Sequence, residues 1–142
     1  MAAINPYLNF DGNCEKAFNF YKSVLGGEFL TLMRFKDVPP EVHFPESEGE
    51  KIMHVALPIG QGTVLMGSDT PAAMGPTTNG NNVYISINAE SEAEAAKLFK
   101  GLSASGQVTM PLEKAFWGAY FGMFTDKFGI QWMVNYDYNQ PQ

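Results

Sequence analysis

Apolar and polar positions follow a defined order in the first half of the chain. Segment 5–10 alternates as a strand does, and residues 14–25 carry apolar side chains at the three- and four-residue spacing of a helix. Asn13 is expected to cap this helix through its side-chain oxygen, and Gly26-Gly27 to end it. The polar segment 37–50, rich in Pro and Glu, is expected to be a mobile loop. Further strands are predicted at 29–35, 52–59 and 63–66.

The same order returns after a stretch rich in Gly, Pro, Thr and Asn. A strand is predicted at 83–87, and Ser91 with Glu94 has the spacing of a capping box at the start of a helix. The apolar face of this helix extends from Ala95 to Leu102. Strand patterns then follow at 108–112, 120–124 and 132–136. Each half therefore predicts the order strand, helix, strand, strand, strand.

This repeat predicts an α+β fold made of two βαβββ modules. We place the first module at 1–69, the second at 82–137 and a linker at 70–81, within one domain that spans 1–142. Two such modules can each bury a helix on a curved sheet and pair their sheets around a cavity. Identity between the halves is low, so an ordinary α+β domain with an accidental pseudo-repeat remains the alternative.

Composition narrows the classes of partner. The net charge is −6, from 9 Lys+Arg against 15 Asp+Glu, and no basic stripe is visible, which disfavours nucleic acid and anionic membrane as partners. The apolar runs are too short for a membrane-spanning helix, and no signal-peptide pattern opens the chain. The single cysteine, Cys14, excludes an internal disulfide framework. We therefore expect a cytoplasmic protein.

Three short sequence segments are more informative about the protein family than the hydrophobic periodicity is. The first is Pro-Tyr-Leu-Asn-Phe-Asp-Gly-Asn at 6–13 with Ala17, Tyr21 and Gly26-Gly27; the second is Met53-His54 with Met-Gly-Ser-Asp at 66–69. The third is Phe-Trp-Gly at 116–118 with Gly122, Asp-Lys-Phe-Gly at 126–129 and Trp132. Together they resemble the PhnB-like branch of the glyoxalase/bleomycin-resistance/dioxygenase superfamily, also called the vicinal oxygen chelate superfamily.

The resemblance implies paired βαβββ modules that form a cupped mixed sheet, commonly in a homodimer. Some relatives are named as a demethylubiquinone methyltransferase. That activity needs a cofactor site, and no Gly-rich loop between a strand and a helix is placed to hold a nucleotide-like cofactor in this chain.

Metal-dependent members of the superfamily hold a divalent ion through His, Glu or Gln side chains, and the ion acts as a Lewis acid. The resemblance places the corresponding positions within 4–7, near Asn82 and at Met133, or at Gln131 or Asn135 if the alignment slides. None of these residues is His or Glu. His54 remains as a single, weak candidate ligand, so we expect no cofactor and disfavour a divalent metal.

Two further residues have a reactive and an inert interpretation. His54 is either a packed strand histidine or an acid–base residue, since an unperturbed imidazole titrates near pH ~6.5. Cys14 lies in the first turn of a predicted helix, where the helix dipole favours the thiolate. It also lies on the apolar face of that helix, which predicts a buried and unreactive thiol.

Aromatic residues beside glycines are the predicted ligand contacts. Glycine lets a ligand approach the backbone, while rings and methionines supply adaptable apolar area. Core packing is the alternative for each of them. The predicted contacts are Phe116, Trp117, Tyr120, Trp132 and Met66.

These features predict a protein that holds a small apolar or aromatic molecule without a metal, as bleomycin-resistance members sequester a compound. The alternative is an enzyme of the same superfamily, of lyase, dioxygenase or transferase type, that uses a divalent metal or His54. A third interpretation is an interaction module with a vestigial pocket. The sequence leaves open whether any reaction is catalysed.

Overall fold

The computed structural model describes residues 2–39, 41–60 and 62–139. The elements of the first half are β1 (Tyr7–Phe10), α1 (Cys14–Leu25), β2 (Thr31–Arg34), β3 (Ile52–Ile59) and β4 (Thr63–Asp69). Those of the second half are β5 (Ile85–Asn88), α2 (Glu92–Ser103), β6 (Gln107–Lys114), β7 (Ala119–Thr125) and β8 (Gln131–Asp137). The predicted βαβββ order is confirmed in both halves.

Each half forms its own four-stranded mixed sheet, in the order β1-β4-β3-β2 and β5-β8-β7-β6. The first strand of each module pairs in parallel with the last, and the other pairs are antiparallel. A parallel pair needs a long crossover, which the helix and two intervening strands supply. The chain divides into two compact units between Thr78 and Asn79, a boundary that falls within 70–81.

Helix α1 does not begin as predicted. Within the described part of the chain, the Asn13 side chain makes no capping hydrogen bond, because its backbone (φ −112°, ψ 20°) is not in the extended conformation of a capping residue. The carboxylate of Asp69, at the end of β4, instead accepts hydrogen bonds from the backbone N–H groups of Gly12 (2.8 Å) and Cys14 (3.0 Å). The start of α1 is therefore held by a distant strand rather than by its own cap.

The other predicted helix boundaries are confirmed. Helix α1 ends at Leu25, where Gly26 has a φ of 83° and donates its N–H to the Lys22 carbonyl at 2.8 Å. At the start of α2, Ser91 Oγ accepts the N–H of Glu94 at 3.0 Å. The Glu94 carboxylate reaches back to the N–H of Glu90 at 2.8 Å, one residue earlier than in the usual capping box.

In each module, a glycine in a central strand leaves room for the side chain of a phenylalanine from the helix. A Cβ at Gly67 in β4 would lie 2.6 Å from the ring of Phe18, and a Cβ at Gly122 in β7 would lie 2.6 Å from the ring of Phe99. Each helix therefore packs directly onto the backbone of its sheet. In α1 the buried side chains are Cys14, Ala17, Phe18 and Tyr21, and in α2 they are Ala95 and Leu102.

The chain between β2 and β3 contains short helical turns and one buried acidic side chain. It contains a short 3-10 helix at Glu46–Glu48, and a second one, Phe35–Asp37, precedes it. Glu48 is only 5% exposed; it accepts the N–H of Ala72 at 2.7 Å and pairs with Lys51 at 2.5 Å. The segment is therefore anchored at its end by a buried charge that has its partners in place.

The start of the predicted linker is bonded to the first module. Asp11 accepts hydrogen bonds from the backbone N–H of Thr77 at 3.0 Å and from its hydroxyl at 2.9 Å. Neither α1 nor α2, each with 12 residues, nor any other helix in the described part of the chain is long and apolar enough to cross a membrane.

Candidate functional site

The face of the first sheet opposite α1 collects the candidate site of that module. Strand register aligns Thr31, Ala56, Met66 and Tyr7 in one row across β2, β3, β4 and β1. Side chains alternate between the two faces of a strand, so residues two positions away share the same face. We call this surface the Tyr7 face; it comprises Tyr7, Asn9, Thr31, Met33, His54, Ala56, Pro58, Val64, Met66 and Ser68.

Two aromatic rings meet on the Tyr7 face. The rings of Tyr7 and His54 stack with centroids 5.8 Å apart and an interplanar angle of 26°. The Tyr7 hydroxyl lies 3.4 Å from His54 Nδ1, a long hydrogen bond. The two side chains come from β1 and β3, so they reach towards each other across the intervening strand β4. Tyr7 is 46% exposed and His54 is half-buried.

Other residues of the Tyr7 face supply apolar and neutral polar groups. Met33 pairs with His54 in the strand register and Met66 pairs with Tyr7, and both methionines are half-buried. The Ser68 hydroxyl donates to Asn9 Oδ1 at 3.4 Å. No residue of the Tyr7 face carries a formal charge when His54 is neutral. The surface therefore offers ring stacking, adaptable apolar contact and uncharged hydrogen-bonding groups.

The predicted aromatic contacts of the second module divide into two places. Phe116 (98% exposed) and Trp117 (53% exposed) lie in the turn between β6 and β7, with their ring centroids 5.0 Å apart. Tyr120 is half-buried, and its ring lies 6.5 Å from that of Tyr138. Trp132 is 1% exposed, which fits the packing alternative. These residues do not form one aromatic cluster, because strand alternation directs Tyr120 and Trp132 to the α2 side of the sheet.

The Asp-Lys-Phe-Gly turn has a structural role that sequence reasoning missed. Asp126 is 3% exposed, and its Oδ1 accepts the backbone N–H groups of Phe128 (2.8 Å) and Ile130 (3.0 Å). Its Oδ2 accepts Nε1–H of Trp132 at 2.8 Å. One buried carboxylate thus shapes the turn and fixes the tryptophan. The signal available in the sequence was the Asp-x-x-Gly spacing followed by Trp132.

Arg34, which lies in a cleft of about 310 Å³, is held by an ion pair. Its guanidinium donates two hydrogen bonds to the Glu15 carboxylate, at 3.0 and 2.6 Å, and one to the Glu50 carbonyl at 2.9 Å. The hydrogen bond from Arg34 lowers the pKa of Glu15. Arg34 therefore joins α1 to β2 and the segment before β3, and its charge is already balanced within the module.

Cys14 has the environment of a packing residue. Its side chain is fully buried, and this burial raises the pKa of the thiol; the negative charges of Asp69 and Glu15 raise it further. These effects outweigh the helix dipole, which would favour the thiolate.

We predict that the Cys14 thiol is protected in the folded protein. Because the thiolate is the reactive form and both burial and the raised pKa suppress it, labelling by a disulfide reagent at neutral pH should be roughly 100-fold slower than in the unfolded chain. The same protein in denaturant, followed by absorbance, is the control. A native rate within threefold of the unfolded rate would contradict this.

The positions at which the resemblance places metal ligands hold neutral side chains. In residues 2–39, 41–60 and 62–139, no three His, Cys, Asp or Glu side chains form a group that could hold an ion. Asn82 precedes β5, and Met133 lies on β8. The amides of Gln131 and Asn135 donate to Val83 O at 2.8 Å and to Asn88 Oδ1 at 3.4 Å. Within these described ranges, the hydrogen-bonding partner of His54 is Tyr7, a neutral side chain.

Comparison with known sequences identifies the family. A sequence model of the Glyoxalase/Bleomycin resistance protein/Dioxygenase superfamily matches residues 3–134. Protein YjdN of Escherichia coli K12 is 29% identical over 97% of this chain and 97% of its own length. The uncharacterized protein Mb0911c of Mycobacterium bovis is 32% identical over 93% of this chain and 81% of its own length.

Solved structures agree with this assignment. Protein PA1353 of Pseudomonas aeruginosa is similar with a TM-score of 0.85 and 43% identity, covering 96% of this chain and 98% of that one. A PhnB protein of Bacillus cereus, whose name proposes a 3-demethylubiquinone-9 3-methyltransferase activity for that protein, has a TM-score of 0.74 and 26% identity over 95% and 99% of the two chains. This chain therefore belongs to the Glyoxalase/Bleomycin resistance protein/Dioxygenase superfamily, in its PhnB-like branch.

Proposed function

We propose that this chain binds a small apolar or aromatic molecule and does so without a metal. The observation that carries the proposal is the Tyr7–His54 stack on the Tyr7 face, flanked by Met33 and Met66. Small-molecule sites typically combine apolar and aromatic walls with a few placed polar groups. We also propose that the protein acts as a homodimer, as the superfamily resemblance implies.

The absence of charge on the Tyr7 face supports an uncharged or weakly polar ligand region. A charged ligand group would be desolvated there without a counter-ion, which costs several kcal/mol for a buried ion. Uncharged planar compounds avoid this cost and gain apolar contact with Tyr7, Met33 and Met66. The chemistry of the face therefore favours aromatic compounds over sugars or phosphates.

The exposed pair of Phe116 and Trp117 is a second contact region within the proposal. Large apolar side chains that remain in water mark binding surfaces more often when they are contiguous, and these two rings touch each other. Trp117 also contacts the ring of Phe121, at 5.6 Å between centroids. Its indole is therefore a fluorescent reporter of binding in the second module.

A thermal-shift screen of metal-stripped protein tests the proposal. We expect one or more planar aromatic compounds to raise the melting temperature saturably, by several degrees at about 100 times the Kd, since such occupancy adds about 2.7 kcal/mol. If the compound binds at the Tyr7 face, the rise should be lost in His54→Ala. If it binds at the exposed pair of Phe116 and Trp117, the rise should be lost in Trp117→Ala. His43→Ala, in the exposed loop, is the matched histidine control and should retain it.

The same screen with divalent ions tests the metal-dependent alternative. Ni²⁺, Zn²⁺, Mn²⁺ and Mg²⁺ are expected to produce no saturable rise in melting temperature. A saturable rise that disappears in His54→Ala would replace the proposal with the divalent-metal alternative. Failure of a broad set of aromatic compounds to bind would contradict the proposed function itself.

A further inference from the structure

The hydrogen bond between Tyr7 and His54 determines which imidazole nitrogen faces a ligand. A neutral imidazole has one N–H donor and one nitrogen acceptor. A phenol is a strong donor, whereas its oxygen is a weak acceptor because its lone pair is delocalised into the ring. The arrangement in which Tyr7 O–H donates to His54 Nδ1, at 3.4 Å, is therefore preferred. The proton of the neutral imidazole then lies on Nε2.

His54 Nε2 is consequently a donor in both charge states. When the imidazole is neutral, Nδ1 accepts from Tyr7 and Nε2 carries the proton; when it is protonated, both nitrogens carry one. Within residues 2–39, 41–60 and 62–139, His54 contacts Tyr7, and Nε2 makes no hydrogen bond. An unpaired donor on a half-buried aromatic face is a group that a ligand can satisfy.

We infer that Tyr7 is a positioning residue that holds His54 as an Nε2–H donor, and that the ligand is an uncharged planar aromatic compound carrying a carbonyl oxygen. The inference rests on the proposed function and narrows its ligand class. The ring of the ligand lies against Met33 and Met66, and its oxygen accepts from Nε2–H. The same proton arrangement leaves His54 without a free lone pair for a metal ion.

The tautomer can be measured without any ligand. Long-range ¹H–¹⁵N NMR spectra at a pH well above ~6.5 report which imidazole nitrogen is protonated. We expect the unprotonated pattern at Nδ1 and the protonated pattern at Nε2 for His54, while exposed His43 shows the averaged pattern of a solvated side chain. A proton on Nδ1 of His54, or a pattern like that of His43, would overturn the role of Tyr7.

Tyr7→Phe separates the hydrogen bond from the stack. This variant keeps the ring and removes the hydroxyl, so the His54 resonances should move towards the pattern of His43 while the melting temperature changes little. Tyr84→Phe, in the segment before β5, is the matched control and should leave the His54 resonances unchanged. A merely structural role for Tyr7 would change the melting temperature and leave the tautomer as it was.

The ligand class is tested with acetophenone and α-methylstyrene, which have closely similar shapes and differ in that a CH₂ group replaces the carbonyl oxygen. We expect acetophenone to bind wild-type protein about three- to tenfold more tightly, as one added hydrogen bond allows. The preference should fall to near unity in His54→Leu. Equal affinities for the two compounds would overturn the ligand class while leaving the proposed function intact, whereas no binding of either would count against both.

Discussion

Replacing Asp69 with alanine is expected to lower the free energy of unfolding by about 4 kcal/mol. The carboxylate is 2% exposed and accepts three backbone N–H groups, from Gly12, Cys14 and Ile52, at 2.8 to 3.0 Å. Each buried donor that loses a partner costs roughly 1–3 kcal/mol, and the first turn of α1 loses its cap. Urea unfolding followed by circular dichroism measures the change.

Asp69→Asn provides the matched variant. The amide keeps one acceptor oxygen but directs an NH₂ donor at a backbone N–H, so we expect about half of the alanine effect. Glu28→Ala, whose side chain is 87% exposed and paired with Lys22, should remain close to wild type. If Asp69→Ala unfolds within about 1 kcal/mol of wild type, water has replaced the carboxylate and its anchoring role is wrong.

Asp126→Ala is expected to cost about 3 kcal/mol and to free the side chain of Trp132. The variant removes the acceptor of Trp132 Nε1–H and of two backbone N–H groups in the turn. In a Trp117→Phe background, Trp132 is the remaining tryptophan of the chain. Its fluorescence emission should move to longer wavelength as water reaches the indole, and emission with urea titration gives the stability change.

The Asp126→Asn variant separates the contribution of the hydrogen bonds within the turn from that of the hydrogen bond to Trp132. An amide oxygen at Oδ1 can still accept from Phe128 and Ile130, while the NH₂ group opposes the indole N–H. We expect an intermediate stability and an altered Trp132 emission. Unchanged emission in both variants would show that packing alone holds Trp132 and that the hydrogen bond is dispensable.

Local patterns predicted the elements better than their edges. The bounds of β3, at 52–59, and the end of α1 at Leu25 follow from apolar periodicity and from Gly26, which are local signals. Strand β4 was predicted to end at Met66, yet it continues to Asp69. Gly-Ser-Asp has the composition of a turn, but it pairs with β1 in parallel, and a sequence window cannot detect that pairing.

The candidate site was predictable only in part, for the same reason. His54 was recognisable as a candidate from its strand, whereas its partner Tyr7 lies 47 residues away and entered only as part of the motif at 6–13 and of the range 4–7. Asn13 had the composition of a cap, but the buried Asp69 provides a stronger, charged acceptor. Strand alternation places Trp132 in the core, whereas Trp117 is exposed because it lies in the turn between β6 and β7.

The position of Asp69 also bears on how the first module is made during synthesis. The carboxylate that anchors Gly12 and Cys14 is 57 and 55 residues further along the chain. A nascent chain that ends before residue 69 therefore contains all of α1 without the group that secures its first turn. The first turn of α1 can gain this anchor only after residue 69 has been synthesised, so the local sequence around the helix does not supply it.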